Sequence, residues 1–446
     1  MLSVLRDRTY RHLFAAQVVS LVGTGLATVA LGLLAYDIAG ADAGSVLGTA
    51  LAIKMVAYVA IAPAVGALAD RLPRRVLMVG SDLTRATVAL ALPFVDQVWQ
   101  VYVLIFLLQA ASAAFTPTFQ AVIPDVLPAE RDYTQALSLS RLAYDLESLF
   151  SPALAAALLS LVTYNWLFLG TVAGFLGSAA LVVSAVLPKP HASDVPRTGR
   201  AYAKATAGTR LFFATPRLRA LLALNLAVAA ASAMVTVNSV VYVRHTLGLG
   251  SAEVSLALGA YGAGSMAVAL LLPRVLERVC DRTVMLRGAL LLAVVFAGLG
   301  GLTTAGSGGW RWPALLVIWA AFGAACSMVL TPTGRLIRRS APPEERTAAF
   351  AAQFSLSHGC WLLTYPLAGW LGATAGLEPA VVVLGAIALA SGLLAGRVWP
   401  SRETVGVEHE HTSLHEGHPH LIDAVRVGNA WRHSHTPLPD ALHAHR

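Results

Sequence analysis

Twelve separate apolar stretches of about 20 residues run through this chain, and nothing else constrains its fold as strongly. At 1.5 Å rise per residue, each is long enough to cross roughly 30 Å of hydrocarbon as an α-helix. They fall near residues 13–35, 46–68, 76–95, 99–121, 136–160, 164–187, 218–243, 252–273, 284–304, 312–333, 348–373 and 378–398. The composition agrees, with 57% hydrophobic and 13% charged residues, where a soluble protein of this length carries about 25% charge. Such a chain needs lipid as its solvent. Polar Met1–His12 leads straight into the first stretch, which argues against a cleaved leader. Cys280, Cys326 and Cys360 lie far apart and show no CxxC spacing, so neither a disulfide framework nor a structural zinc site is expected.

The net charge of +8 is explained by where the arginines sit rather than by a nucleic-acid partner. Arg6, Arg8 and Arg11 precede the first span. Arg71, Arg74 and Arg75 fill the second loop, Lys189 to Arg219 the middle one, Arg274 to Arg287 the eighth and Arg335 to Arg346 the tenth. The odd loops hold Arg244 and Arg311 as exceptions. Basic loops stay in the cytoplasm, so both termini are expected there.

The polar segment 188–216 divides the chain into two six-helix halves, 1–187 and 217–398, with a tail over 399–446. The halves repeat one another. Thr116-Pro117-Thr118 closes span four and Thr331-Pro332-Thr333 closes span ten; Pro128-Ala129-Glu130-Arg131 returns as Pro343-Glu344-Glu345-Arg346; Pro152 is matched by Pro366. The expectation is an all-α membrane protein, twelve transmembrane helices in two pseudo-symmetric bundles, with a site between them.

The second loop reads Gly66-Ala67-Leu68-Ala69-Asp70-Arg71-Leu72-Pro73-Arg74-Arg75, which resembles the major facilitator loop motif G-x-x-x-D-R-x-G-R-R, with Pro73 where the family usually has Gly. The resemblance implies the major facilitator fold and a gating role for Gly66, Asp70, Arg71, Arg74 and Arg75, with Asp82 and Arg85 as companions. Span five reads Ser151-Pro152-Ala153-Leu154-Ala155-Ala156 and lacks the glycines of the antiporter motif G-P-x-x-G-G. His358-Gly359-Cys360-Trp361-Leu362-Leu363-Thr364-Tyr365-Pro366 and the His-rich C-terminus together resemble nickel-resistance exporters of the NreB type. That resemblance implies Ni²⁺ efflux across a bacterial-type inner membrane and names the metal, which composition does not.

Nine of the 13 histidines lie in the tail: His409, His411, His415, His418, His420, His433, His435, His443 and His445. The tail is polar and shows no sustained apolar period, so it is expected to be without regular structure. Four pairs are spaced His-x-His, at 409/411, 418/420, 433/435 and 443/445. Alternate residues of an extended chain lie about 7 Å apart on one side, so each pair offers two imidazoles to one ion. Imidazole suits Ni, Co, Cu and Zn, and Glu408, Glu410 and Glu416 are further donors. A solvated tail without a metal role and a pH-sensing tail are the alternatives.

Ionisable groups inside spans mark functional sites. Span two carries Lys54, span five Arg141, Asp145 and Glu147, span eleven His358 and Cys360. Asp145 and His358 both fall roughly 17 Å in from the basic end, so carboxylates of one half are expected to meet a His and a Cys of the other. Residues i and i+2 point about 200° apart, which sets Asp145 against Glu147. Arg141 and Asp145 are i,i+4 and also suit a structural ion pair. Lys54 is a candidate counter-charge for either carboxylate, and Asn238 with Met234 a minor donor pair. No nucleotide-binding loop is present, so ATP is not the direct driver and no resident cofactor or enzyme activity is expected. The reading is a secondary exporter of a divalent metal, Ni²⁺ or Co²⁺, with protons as coupling ion. The rivals are an exporter of a siderophore or drug, and a non-transporting metal sensor.

Overall fold

The computed structural model describes residues 2–39, 43–68, 72–188, 206–342, 345–400, 407–411, 425–427 and 430–435. Six long helices form the first half: α1 Arg8–Ala39, α2 Ala43–Leu68, α3 Arg74–Ala91, α4 Val98–Val126, α5 Glu130–Leu159 and α6 Tyr164–Ser184. Short α7 Ala207–Ala214 precedes the second half. There α8 Pro216–Val240 runs into a π-helical turn, Val241–Thr246, and is followed by α9 Ser251–Leu276 and α10 Asp281–Thr304. Then come α11 Arg311–Leu330, short α12 Thr333–Ser340, α13 Arg346–Thr374 and α14 Leu377–Val398. The twelve long helices coincide with the twelve apolar stretches. Nine are long and apolar enough to cross a membrane among the described residues. The other three are α2, α5 and α13, which carry Lys54, the Arg141–Glu147 stretch and His358.

Within the first half α1 packs on α5 and α6, and α3 and α4 on each other; within the second, α9 packs on α11, and α14 on α8 and α10. The halves meet where α2 and α4 lie against α13, and α5 against α9. Within the second half one contact is backbone to backbone: a Cβ on Gly264 of α9 would stand 1.9 Å from the Ala320 carbonyl oxygen, and one on Gly323 of α11 the same 1.9 Å from that of Tyr261. Small residues allow this approach, which is how helices associate in lipid.

Two expectations are corrected. Thr116-Pro117-Thr118 does not close the fourth span: α4 continues to Val126 with Pro117 and Pro124 inside it, and only the second-half copy breaks, Pro332 standing at the N-terminus of α12. A proline inside a spanning helix is tolerated because neighbouring groups re-satisfy the freed backbone. The tail, expected to lack regular structure, carries three strands, β1 Val407–His411, β2 Val425–Val427 and β3 Ala430–His435, in the antiparallel order β1-β3-β2.

Candidate functional site

The site starts from α2, α5 and α13, three helices brought together at mid-depth. Ser355 of α13 donates to the Val59 carbonyl of α2 at 2.6 Å, fixing the two helices across the halves. About one turn further in, His358 is surrounded by aromatic rings, with Phe354 at 4.2 Å, Tyr58 at 4.6 Å and Trp361 at 4.8 Å between ring centres. Helical spacing accounts for two of them, since Phe354 and Trp361 stand four residues before and three after His358. The Tyr58 hydroxyl donates to Gln109 Oε1 of α4 at 2.8 Å. Lys54, one turn back on α2, places its Nζ 5.6 Å from the Tyr58 ring centre, within cation–π range. The ammonium also lies within electrostatic reach of Glu147 on α5 and of His358.

The His358 ring has a defined proton. Its Nδ1 stands 2.7 Å from the Phe354 carbonyl oxygen. A carbonyl only accepts, so Nδ1 carries the hydrogen, and in the neutral ring Nε2 keeps its lone pair. Metal-ligating histidines are oriented in this way, with one nitrogen donating to the backbone and the other free to bind.

Asp145 belongs to a different group. It accepts from Arg141 at 2.9 Å, and from the Ser265 hydroxyl of α9 at 2.7 Å. Arg141 Nη2 in turn reaches Ser265 Oγ at 3.0 Å. The two carboxylates therefore do not converge with His358 as expected: Glu147 is grouped with Lys54, and Asp145 is committed to Arg141 and α9. The i,i+2 offset on a regular helix is the reason. Cys360, similarly offset from His358, is buried in α13. Asn238 is also redirected. Its Nδ2 faces Met234 Sδ at 3.7 Å and the Ala368 carbonyl at 3.4 Å, so it links α8 to α13 in packing. Among the described residues no group of three or more His, Cys, Asp or Glu is assembled to hold a metal. Tyr58, Phe354 and Ser265 were not singled out in sequence, although the first two sit one turn from Lys54 and His358.

At the basic end ion pairs join the halves. Arg346 of α13 reaches Asp125 of α4 at 3.3 Å, and Arg335 of α12 reaches Glu130 of α5 at 3.0 Å and Thr134 at 2.8 Å. Arg339 also pairs with Glu130, and Arg131 with Glu277 at 2.8 Å. Arg74 of the loop motif pairs with Asp125, and Arg75 donates to the Ala185 carbonyl. Gly66 falls within α2, while Asp70 and Arg71 lie outside the described residues. Buried Asp82 and Arg85 pair with each other inside the first half, with Ser178 donating to Asp82 at 2.8 Å. Every ion pair between the halves among the described residues is at this end. In the tail, His409, His411, His433 and His435 lie on strands; His415, His418, His420, His443 and His445 lie outside the described residues.

Two six-helix halves, charged groups at mid-depth between them and a row of ion pairs across one end make up the layout of a secondary transporter. The chain belongs to the Major Facilitator Superfamily, whose model matches residues 13–246 and again 220–433, and it is a multi-pass membrane protein. It is 29% identical over 182 residues to macrolide efflux protein A of Streptococcus pyogenes, covering 40% of this chain and 44% of that one. To an uncharacterized MFS-type transporter of Bacillus subtilis it is 28% identical over 177 residues, 39% and 40% of the two chains. The chain thus spans less than half the length of the curated relatives it matches. Among solved structures it is similar to a bacterial homologue of the iron transporter ferroportin, in an outward-facing state with soaked iron (TM-score 0.71, 13% identity, 87% of this chain and 98% of that one). It is also similar to the human organic anion transporter MFSD10 (TM-score 0.67, 15% identity, 87% and 99%). At these identities the likeness is one of fold.

Proposed function

We propose that this protein exports a divalent transition-metal cation, Ni²⁺ or Co²⁺, from the cytoplasm in exchange for protons. One observation carries the reading: inside the helices, His358 has its Nδ1 held by the Phe354 carbonyl, which leaves Nε2 the lone pair, and it lies within electrostatic reach of Lys54, itself within reach of Glu147. In the empty carrier Lys54 balances Glu147. An entering dication repels Lys54, takes its place at Glu147 and draws on the His358 Nε2 lone pair. With the arginine-rich end in the cytoplasm, the ion pairs at that end close the cytoplasmic side, so this state faces outward. Moving a dication outward against 100 mV costs about 4–5 kcal/mol, which exchange for two or more protons offsets. The histidines of the tail gather metal at the cytoplasmic mouth and raise its local concentration.

A second reading has its own support. Three aromatic rings around His358, next to a cation, also suit a flat organic solute, and macrolide efflux proteins are among the relatives. One experiment separates the two. A metal-sensitive host expressing the wild type, Glu147→Gln, His358→Ala or no transporter is assayed for retained nickel, cobalt and zinc, and in parallel for retained macrolide. The wild type is expected to lower retained nickel or cobalt severalfold, and both variants to lose that effect. Metal retention equal to that of the empty host would overturn the metal reading, and reduced macrolide would establish the second.

A further inference from the structure

The tail sheet places its histidines in a pattern that spacing along the chain does not reveal. Strands β1 and β3 pair with Val407 opposite His435, His409 opposite His433 and His411 opposite Trp431. Residues opposite one another share a face, and faces alternate along each strand. His409, His411, His433 and His435 therefore fall on one face, together with Trp431. Arg426 of β2, opposite Trp431, joins the same face at its edge. Glu408 and Glu410 fall on the other face, opposite Ser434 and Arg432. Glu408 and Glu410 are thus on the opposite face of the sheet from these histidines.

The distances are set by strand geometry. Opposite residues have backbones about 5 Å apart, and alternate residues of one strand about 7 Å. His409 and His433 form the central rank. His411 lies one rank to one side on β1 and His435 one rank to the other side on β3, about two ranks from each other. Two of the four His-x-His pairs are thereby merged into a single arrangement: a central pair, flanked symmetrically by two further histidines. His411 and His435 stand two ranks apart, roughly 14 Å along the sheet, so a single ion at the central rank has one flanking position at a time.

We propose that this face of the tail sheet is one binding site for a late first-row divalent cation, centred on the His409/His433 rank, with His411 and His435 as interchangeable third positions. It rests on the reading of the tail as a metal-gathering element, and it replaces four independent chelating pairs with one composite site. Binding is measured on the purified full-length protein, so it is distinguishable from transport: a site present in a protein that retains nickel like the empty host would remove the export reading and leave this one standing.

The test is a nickel sulfate titration by equilibrium dialysis, with Trp431 emission as a second readout. Nine tryptophans are present in the chain, so the Trp431 signal is taken as the difference from Trp431→Phe. His409→Ala or His433→Ala is expected to weaken the tightest site by about 100-fold or more. His411→Ala or His435→Ala alone is expected to weaken it by less than about 10-fold, because each replaces the other, whereas the double variant falls to the level of the central ones. Removing His418, His420, His443 and His445 together leaves the tightest affinity within about threefold. A register check accompanies this: in a Cys280→Ser background, the pair His409→Cys and His433→Cys is expected to oxidise to a disulfide, since opposite positions lie within the span of that bond. Equal losses from all four His-x-His pairs, or failure of the cysteine pair to cross-link, would overturn the proposal.

Discussion

Arg346 offers the cleanest measure of how firmly the basic end is held shut. Asp125 of α4 pairs with Arg74 and with Arg346, but only the second contact crosses between the halves and is lost when they part. Replacing Arg346 by Gln therefore shifts the balance of states, whereas replacing Arg74 acts within one half. The Asp125 and Arg346 side chains are 3% and 15% exposed. The pair is neither a surface ion pair, worth about 0–1 kcal/mol, nor a fully desolvated one. A charge-assisted hydrogen bond in such a setting contributes about 1.5–2 kcal/mol, which corresponds to roughly 10–30-fold in the ratio of closed to open. The Arg131–Glu277 pair, with side chains 74% and 44% exposed, is the control, and Arg131→Gln should change the ratio by no more than about threefold. The assay is labelling of Ser138→Cys by a membrane-impermeant maleimide in inverted vesicles, in a Cys280→Ser background. Ser138 is fully buried and lies on the α5 stripe of Thr134, Arg141 and Asp145 that faces the other half. Labelling should quicken about tenfold or more in Arg346→Gln. An unchanged rate, or an equal gain from Arg131→Gln, would show that these pairs do not hold the end closed.

Two further outcomes test the framework. Gly264→Ala pushes a methyl group into the Ala320 carbonyl and should lower stability by about 1–3 kcal/mol or more, read as a reduced melting temperature in detergent; Gly359→Ala, with nothing within 4 Å of the added carbon, should leave it unchanged. Deleting residues 405–446 should lower the external nickel concentration at which a sensitive host loses half its protection without abolishing protection, and complete loss with normal expression would assign the tail a role in the transport step itself.

The helices could be read from the sequence because a lipid-crossing segment must be both long and apolar, a signal that needs no knowledge of neighbours. That Lys54, Asp145, Glu147 and His358 fall within long helices was legible for the same reason, since a span's limits follow from the apolar run that holds it. What the sequence did not carry was azimuth. Whether Asp145 faces α9 or the carboxylate site depends on how α5 is rotated against its neighbours, and Asn238 proved to be used in packing for the same reason. The tail failed differently. Its strands are short and polar, so they show no hydrophobic alternation, and the pairing of His409 with His433 depends on residues 24 apart whose register no local pattern encodes.

The rotation of α5 has a mechanical consequence. Asp145 is fastened to one neighbour and Glu147 is matched with Lys54 on another, nearly half a turn around the same rod. A twist that pulls the first carboxylate off Ser265 must swing the second relative to its lysine, as a cam turns two followers at once. Occupancy on one flank and grip on the other are then two readings of a single angle.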